Sequence, residues 1–157
     1  SSFARMPKAE IKLDNLSKAL TKSFELFSDS YAQINMKLSL PSKDVFFQFD
    51  NFQISQAFTN IIKNAVEAVI LIPNPSIFVK MIESDSKIEI SIIDNGIGID
   101  DKKLNKLFEP YFTTKDKGTG LGLSIVKKII EDHSGIIRIH KNKDMAGTTS
   151  LINFELS

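Results

Sequence analysis

The chain contains no cysteine and no tryptophan, only two histidines, and almost no net charge: 20 basic side chains stand against 19 acidic ones in 157 residues. The missing cysteines exclude disulfide scaffolds, thiolate metal sites and cysteine nucleophiles. Two isolated histidines, His133 and His140, are too few for a multi-histidine zinc site. A net charge of +1 creates no field of the kind that draws nucleic acid or an anionic membrane surface. No apolar run approaches the ~18 residues of a membrane span, and the first residues lack the basic-then-apolar order of a signal peptide. What is plentiful is apolar surface, 42% of positions, enough for one domain to bury a core. The expectation is a soluble, cytoplasmic, single domain.

Residues 1–12 read as a lead-in. Pro7 disfavours a helical Met6, and no Met precedes Ser1, as expected of a segment within a longer protein. Apolar positions three or four apart, from Leu13 through Leu16, Leu20 and Phe24 to Phe27, predict a first helix capped near Asp14. Ile34–Leu40 and Val45–Phe49 read as short strands. A long helix is expected over Phe52–Ile70, capped by Asp50 and ended by Pro73 and Pro75. Ile77–Ile82 and Lys87–Ile93 predict a hairpin turning around Asp85. Residues 94–120 then break the pattern, with Gly96, Gly98, Gly118 and Gly120 and only a short helical hint at Lys102–Phe108. A stretch this long inside a compact domain marks a lid or binding loop. Leu121–Asp132 reads as a helix stopped by Gly135, and Ile136–His140 with Thr148–Leu156 as a closing strand pair. This order predicts an α/β (α+β) two-layer sandwich, a mixed sheet with helices on one face.

Three groups of residues carry chemistry. On the long helix, Asn60, Asn64 and Glu67 fall within roughly 60° of one another, beside the apolar stripe, with Ala57 and Ala68 leaving room. An Asn amide oxygen is a neutral, hard ligand suited to Mg²⁺, which keeps most of its waters and takes further oxygens from phosphates. The same pattern also fits the polar edge of an amphipathic helix. Next, Asp94, Gly96, Gly98 and Ile99 follow an Ile-rich strand. A carboxylate there can accept from an exocyclic amine, and the glycines permit close approach of a flat ring; an ordinary turn is the alternative. Last, Lys115, Lys117, Gly118, Thr119, Gly120, Leu121 and Gly122 open a helix. Outward backbone N–H groups at a helix start form an anion site, to which the lysines add point charges. A glycine hinge would read the same way.

The joint order of these groups is far more specific than any one of them. With the aromatic segment Phe108–Phe112 and Gly147-Thr148 in the last hairpin, the chain resembles the ATP-binding catalytic domain of sensor histidine kinases, in the superfamily that includes gyrase, Hsp90 and MutL. The N, G1, F, G2 and G3 boxes of that family match Asn60–Ala68, Asp94–Gly98, Phe108–Phe112, Gly118–Gly122 and Gly147-Thr148. The likeness covers residues 13–157. Phe108–Lys115 and the Ser2–Pro7 lead-in look most like nitrogen-regulation kinases of the NtrY and NtrB type. The resemblance implies the Bergerat fold, with Mg²⁺-ATP held between the Asn60–Ala68 helix and a mobile lid near Asp100–Lys117. It implies that Asn64 coordinates Mg²⁺ with Asn60 assisting at the phosphates, and that Asp94 reads the adenine amine, supported by Thr148 through water. Gly96, Gly98, Ile99 and Ala68 would shape the pocket. Gly118, Thr119, Gly120, Leu121 and Gly122 would cradle the phosphates, and Lys115 would reach the terminal one. Phe108 and Phe112 would pack the lid, Phe112 against the nucleotide.

The chain departs from the family in three ways. Gyrase-like ATPases carry a Glu general base where this chain has Asn60, so water is poorly activated and the γ-phosphoryl is kept for another acceptor. Many sensor kinases carry a Lys at the position of Glu67, which shifts weight to Lys115. Neither His133 nor His140 has the context of a phosphoacceptor; His133 reads as a helix-terminal packing or dipole contact. The expected partners are therefore an absent dimerisation domain carrying the phosphoacceptor His, from which residues 1–12 would lead in, and a cognate response regulator. The parent protein would be anchored in the inner membrane, with this domain cytoplasmic. A gyrase-type hydrolytic ATPase, an anti-sigma-type Ser/Thr kinase and a nucleotide-gated interaction module are the other readings.

Overall fold

The computed structural model describes residues 6–110 and 122–156. Along the chain come β1 (Lys12–Asn15), α1 (Leu16–Ser28), β2 (Asn35–Ser39), β3 (Phe46–Phe49) and α2 (Asn51–Val69). These are followed by β4 (Ser76–Glu83), β5 (Lys87–Asp94), α3 (Asp101–Leu104), α4 (Gly122–Asp132), β6 (Gly135–Lys141) and β7 (Thr148–Glu155). Five strands form a mixed sheet in the order β2-β4-β5-β7-β6, with β2 and β4 parallel and the other pairs antiparallel. β1 and β3 pair antiparallel in a separate ribbon. Helices α1, α2 and α4 lie side by side on one face of the main sheet, the two-layer α/β architecture expected of the sequence. Among the described residues no helix is long and apolar enough to cross a membrane.

The alternation of β5 sets up the site. Ile88, Ile90 and Ile92 face the helices and are fully buried, and Asp94 continues the same row at the strand's end. Across the ladder Ile152 and Phe154 face inward beside them, and Thr148 and Ser150 continue that row toward Asp94. The inner face thus runs from apolar at one end of the sheet to polar at the other. Against it α2 lays Ile54, Phe58, Ile61, Ile62 and Val69, all essentially buried; each such side chain contributes about 1.5–3 kcal/mol.

Several local expectations are corrected. The first helix starts at Leu16, and Asn15 rather than Asp14 caps it, its side chain accepting from the Lys18 amide at 3.0 Å. Leu13 lies in β1 and is 65% exposed, because pairing with β3 holds Lys12–Asn15 extended. Asp14 instead accepts from the Asn15 amide and from Asn51 Nδ2, and those donors hold its carboxyl below the usual range. Beyond α4 the left-handed position belongs to Ser134 (φ 59°), not Gly135. Gly135 opens β6, where a Cβ would stand 2.7 Å from the Phe154 ring. The helical hint at Lys102–Phe108 reduces to the single turn of α3.

The start of α2 is a junction of three segments. Asp50 caps it by accepting from the Gln53 amide at 3.0 Å, and its other carboxylate oxygen accepts from the Glu10 amide at 2.8 Å. Gln53 Nε2 donates to the Pro7 carbonyl, so residues before β1 are fastened here as well. The third segment is α4. His133 is buried at its end, with Nδ1 2.7 Å from the Ile129 carbonyl and Nε2 accepting the Asp50 amide at 3.0 Å. That pattern requires a neutral ring protonated on Nδ1. Burial works to raise the Asp50 pKa, but the Gln53 and Glu10 amides hold it below its ordinary value.

Candidate functional site

At the polar end of the sheet's inner face a cleft opens between β5, β6, β7 and α2, with an empty volume of about 460 Å³. Its walls are Ile61, Asn64, Ala65 and Ala68 from α2; Asp94, Gly98 and Ile99 from the end of β5 and its loop; Leu123 from α4; and Ile139, Thr148 and Ser150 from the last hairpin. Of the residues singled out in the sequence, Asn64, Ala68, Asp94, Gly98, Ile99 and Thr148 therefore meet on one surface. Asn60 is half-buried one turn before Asn64 and does not line the cleft. Gly96 is buried behind the wall, and Gly122 begins α4 next to Leu123. Phe112, Lys115, Gly118, Thr119, Gly120 and Leu121 lie outside the described residues, as do residues 111–117 of the expected lid. Phe108 is half-buried against the core, with Lys127 Nζ 5.8 Å from its ring centre.

Asp94 is 5% exposed and is the one ionisable side chain in the described wall of the cleft. Its Oδ1 accepts from the Gly96 amide at 2.9 Å and the Thr148 amide at 3.3 Å, and its Oδ2 accepts from Thr148 Oγ1 at 2.9 Å. Thr148 thus bonds the Asp94 carboxylate directly, through both its amide and its hydroxyl. An ionised carboxylate offers about four acceptor positions; three are filled, and one remains for a ligand's donor. Burial pushes this carboxyl above its ordinary range, against the opposing pull of the Gly96 and Thr148 donors.

The glycines around Asp94 are placed by contact. A Cβ on Gly96 would stand 2.6 Å from the Ala68 carbonyl oxygen, which also receives the Ile97 amide at 3.3 Å. The loop after β5 is thereby sewn onto the last turns of α2. Gly147 has φ +101°, and its missing Cβ would stand 2.0 Å from the Asp94 carbonyl oxygen. Asn95 faces away from the cleft: its side chain accepts from the Ser76 amide and donates to the Asn74 carbonyl, closing the start of β4.

The sequence reading did not single out Ser150, Ile139 or Asn142. The first two were legible in principle, since Ser150 lies two residues from Thr148 on one strand face and pairs with Ile139. Asn142, in the β6–β7 turn, gave no sequence signal. Its Nδ2 donates to the Asp94 carbonyl at 2.7 Å.

Residues 49–157 match the family of histidine kinase-, DNA gyrase B- and HSP90-like ATPases. The nitrogen regulation protein NtrY of Azorhizobium caulinodans is 39% identical over 145 residues, covering 89% of this chain and 19% of that protein. Sporulation kinase A of Bacillus subtilis is 34% identical over 143 residues, covering 89% of this chain and 23% of that one. The chain thus spans about a fifth of the length of these relatives. Among solved structures, the catalytic domain of the histidine kinase ThkA superposes with a TM-score of 0.82 at 30% identity, covering 93% of this chain and 95% of that one. ThkA has also been solved in complex with the response regulator TrrA, where this chain matches 42% of the kinase at 26% identity and a TM-score of 0.79. Family, relatives and fold agree with the geometry of the cleft: this chain belongs to the histidine kinase-, DNA gyrase B- and HSP90-like ATPase family, as an ATP-binding catalytic domain of the sensor histidine kinase kind.

Proposed function

We propose that this domain holds Mg²⁺-ATP in the Asn64–Asp94 cleft and donates its γ-phosphoryl to a histidine on a separate dimerisation domain, from which a response-regulator aspartate takes it. The observation that carries the reading is Asp94. It is a buried carboxylate in the wall of the cleft, with three donors in place and one acceptor position left for an exocyclic amine. Ile61, Ala65, Ile99 and Ile139 supply flat apolar walls for a purine. The start of α4 adjoins the cleft through Leu123 and supplies the partial positive charge suited to phosphates.

The residues present fit Mg²⁺. Among the described residues no group of three or more His, Cys, Asp or Glu could hold a metal by itself. A cation here would be held by the Asn64 amide oxygen together with phosphate oxygens and waters, the kind of partial protein shell Mg²⁺ accepts. When bound, the ion neutralises charge on the β- and γ-phosphates. In the transfer, the acceptor histidine nitrogen bonds to the γ-phosphorus while the bond to the β–γ bridging oxygen breaks and ADP leaves. The protein's part is positioning and charge complementarity: Asp94 and Thr148 hold the base, and Asn64 orients the metal-bearing phosphates. Asn60, an amide one turn before Asn64, cannot serve as the general base of a hydrolytic enzyme. His133 cannot be the acceptor, since both its ring nitrogens are engaged in the core. The domain is proposed to act on the cytoplasmic side of a membrane-anchored parent.

Calorimetric titration of a non-hydrolysable ATP analogue with Mg²⁺, in wild type, Asn64→Ala and Asp94→Asn, tests the pocket. Saturable binding weakened by both changes is expected. Adding a separately produced dimerisation domain with ATP should then label its histidine, with little phosphate released in its absence. A folded domain that binds no nucleotide overturns the reading, and rapid phosphate release without an acceptor replaces it with the hydrolytic one.

A further inference from the structure

We propose that Asn142 is a positioning residue for nucleotide recognition, acting on the ligand through the main chain of Asp94. The inference rests on the reading of Asp94 as the group that accepts from the base. Asn142 does not line the cleft. Its amide nevertheless makes three hydrogen bonds within the structure that frames it. Nδ2 donates to the Asp94 carbonyl at 2.7 Å and to the Ala146 carbonyl at 3.0 Å, and Oδ1 accepts from Thr149 Oγ1 at 2.6 Å. Its backbone amide donates to the Gly147 carbonyl at 3.0 Å. One side chain thus joins the end of β5, the β6–β7 turn and the start of β7.

The consequence for Asp94 follows from what holds the rest of that residue. Its carboxylate is gripped by Thr148 and Gly96, and its carbonyl lies against Gly147 with no room for a Cβ. Asn142 is the polar group that closes the carbonyl side. With both ends fixed, the carboxylate's remaining acceptor position has one direction. Without Asn142, the Asp94 carbonyl loses its donor and the Gly147-Thr148 segment loses its brace, so Thr148 no longer sets the carboxylate in one orientation. The chemistry also explains the residue type. Two donors and one acceptor in a single plane are what the three partners require; an aspartate would set a carboxylate against two carbonyls, and a serine offers one donor.

The test is a double-mutant cycle in the full 157-residue chain, read by titration of ATP and GTP analogues, with urea unfolding run in parallel. Asn142→Ala should weaken the ATP analogue about tenfold, the scale of one hydrogen bond, and should reduce the preference for ATP over GTP. In an Asp94→Asn background the same change should have less than about a twofold effect, because the route through Asp94 is already lost. A merely structural role lowers the unfolding midpoint but leaves the ATP-to-GTP ratio unchanged, and that result overturns the proposal. So does an equal loss in both backgrounds. If Asn142→Ala does not fold, Asn142→Ser, which keeps one donor and one acceptor, carries the same criteria. Should Asp94→Asn alone leave ATP-analogue binding intact, the reading of Asp94 fails first, and the cycle separates that failure from one confined to Asn142.

Discussion

Replacing Gly147 by alanine should be the most damaging single-methyl change at this site. The new Cβ would meet the Asp94 carbonyl oxygen at 2.0 Å, the Asp94 carbonyl carbon at 2.7 Å and Asn95 Cα at 2.8 Å, all of them backbone atoms that cannot rotate aside. Raising the first contact from 2.0 Å to 3.0 Å means parting β5 from β7 by about 1 Å at the point where Thr148 grips Asp94. The φ of +101° adds a backbone cost. Together, strain and crowding come to about 2–6 kcal/mol, against a total stability of roughly 5–15 kcal/mol. Two neighbouring glycines separate the contributions. Gly98 also has a positive φ (+76°) but open space where a Cβ would go, so alanine there costs only the backbone part, about 1–2 kcal/mol. At Gly96 the penalty is crowding against the Ala68 carbonyl, about 1–3 kcal/mol. Urea unfolding of the three variants, with equal slopes confirmed, should rank them Gly98→Ala, Gly96→Ala, Gly147→Ala in order of increasing loss. Titration with a fluorescent ATP analogue should find Gly147→Ala the weakest binder per folded molecule. A Gly147→Ala domain within 1 kcal/mol of wild type that binds normally would refute the close-approach argument.

Other expectations follow from the same contacts. Because burial raises the Asp94 pKa above its ordinary 3.8, the folded domain holds that proton more tightly than the unfolded chain. Unfolding free energies measured across pH should therefore shift in favour of Asp94→Asn over wild type as pH rises from 3.8 through the folded pKa. Nucleotide affinity of the wild type should fall as pH drops through that same folded pKa, since the protonated carboxyl no longer receives an amine as a charged acceptor; a flat affinity profile would contradict this. His133→Phe should destabilise the domain by about 1 kcal/mol by leaving the part-buried Asp50 amide without its partner, which thermal unfolding will show. Asn64→Ala should abolish the gain in ATP affinity on adding Mg²⁺ while leaving metal-free binding within about threefold of wild type; calorimetry with and without Mg²⁺ decides.

The helices and strands dictated by local pattern were readable in the sequence. Asp50 caps α2, the Ile-rich runs form the β4–β5 hairpin, and the β5 row ends at Asp94, all from periodicity and capping chemistry. What escaped depends on partners distant in sequence. Lys12–Asn15 carries part of a helical stripe, yet its pairing with Phe46–Phe49 keeps it extended and hands the cap to Asn15. Likewise, the parallel register of β2 on β4 leaves no local trace. At the site, residues recognised by type, such as Asn64, Asp94 and Thr148, do meet on one cleft. Ser150 lines it, and Asn142 reaches the Asp94 main chain, only because of where neighbouring strands and turns end.

The contact between Asp94 and Thr148 joins residues 54 positions apart, through a strand, β7, that ends only at Glu155. During synthesis the cleft therefore cannot form until β7 has left the ribosome. Until β7 inserts between β5 and β6, both of those strands show it an open edge, and Asp94 lacks two of its three donors. The nascent domain is thus blind to ATP until β7 emerges, and acquires the cleft in the same step that completes its sheet. Nucleotide, which can bind only after that step, would pull the final strand insertion forward by mass action and act as a folding ligand for its own site.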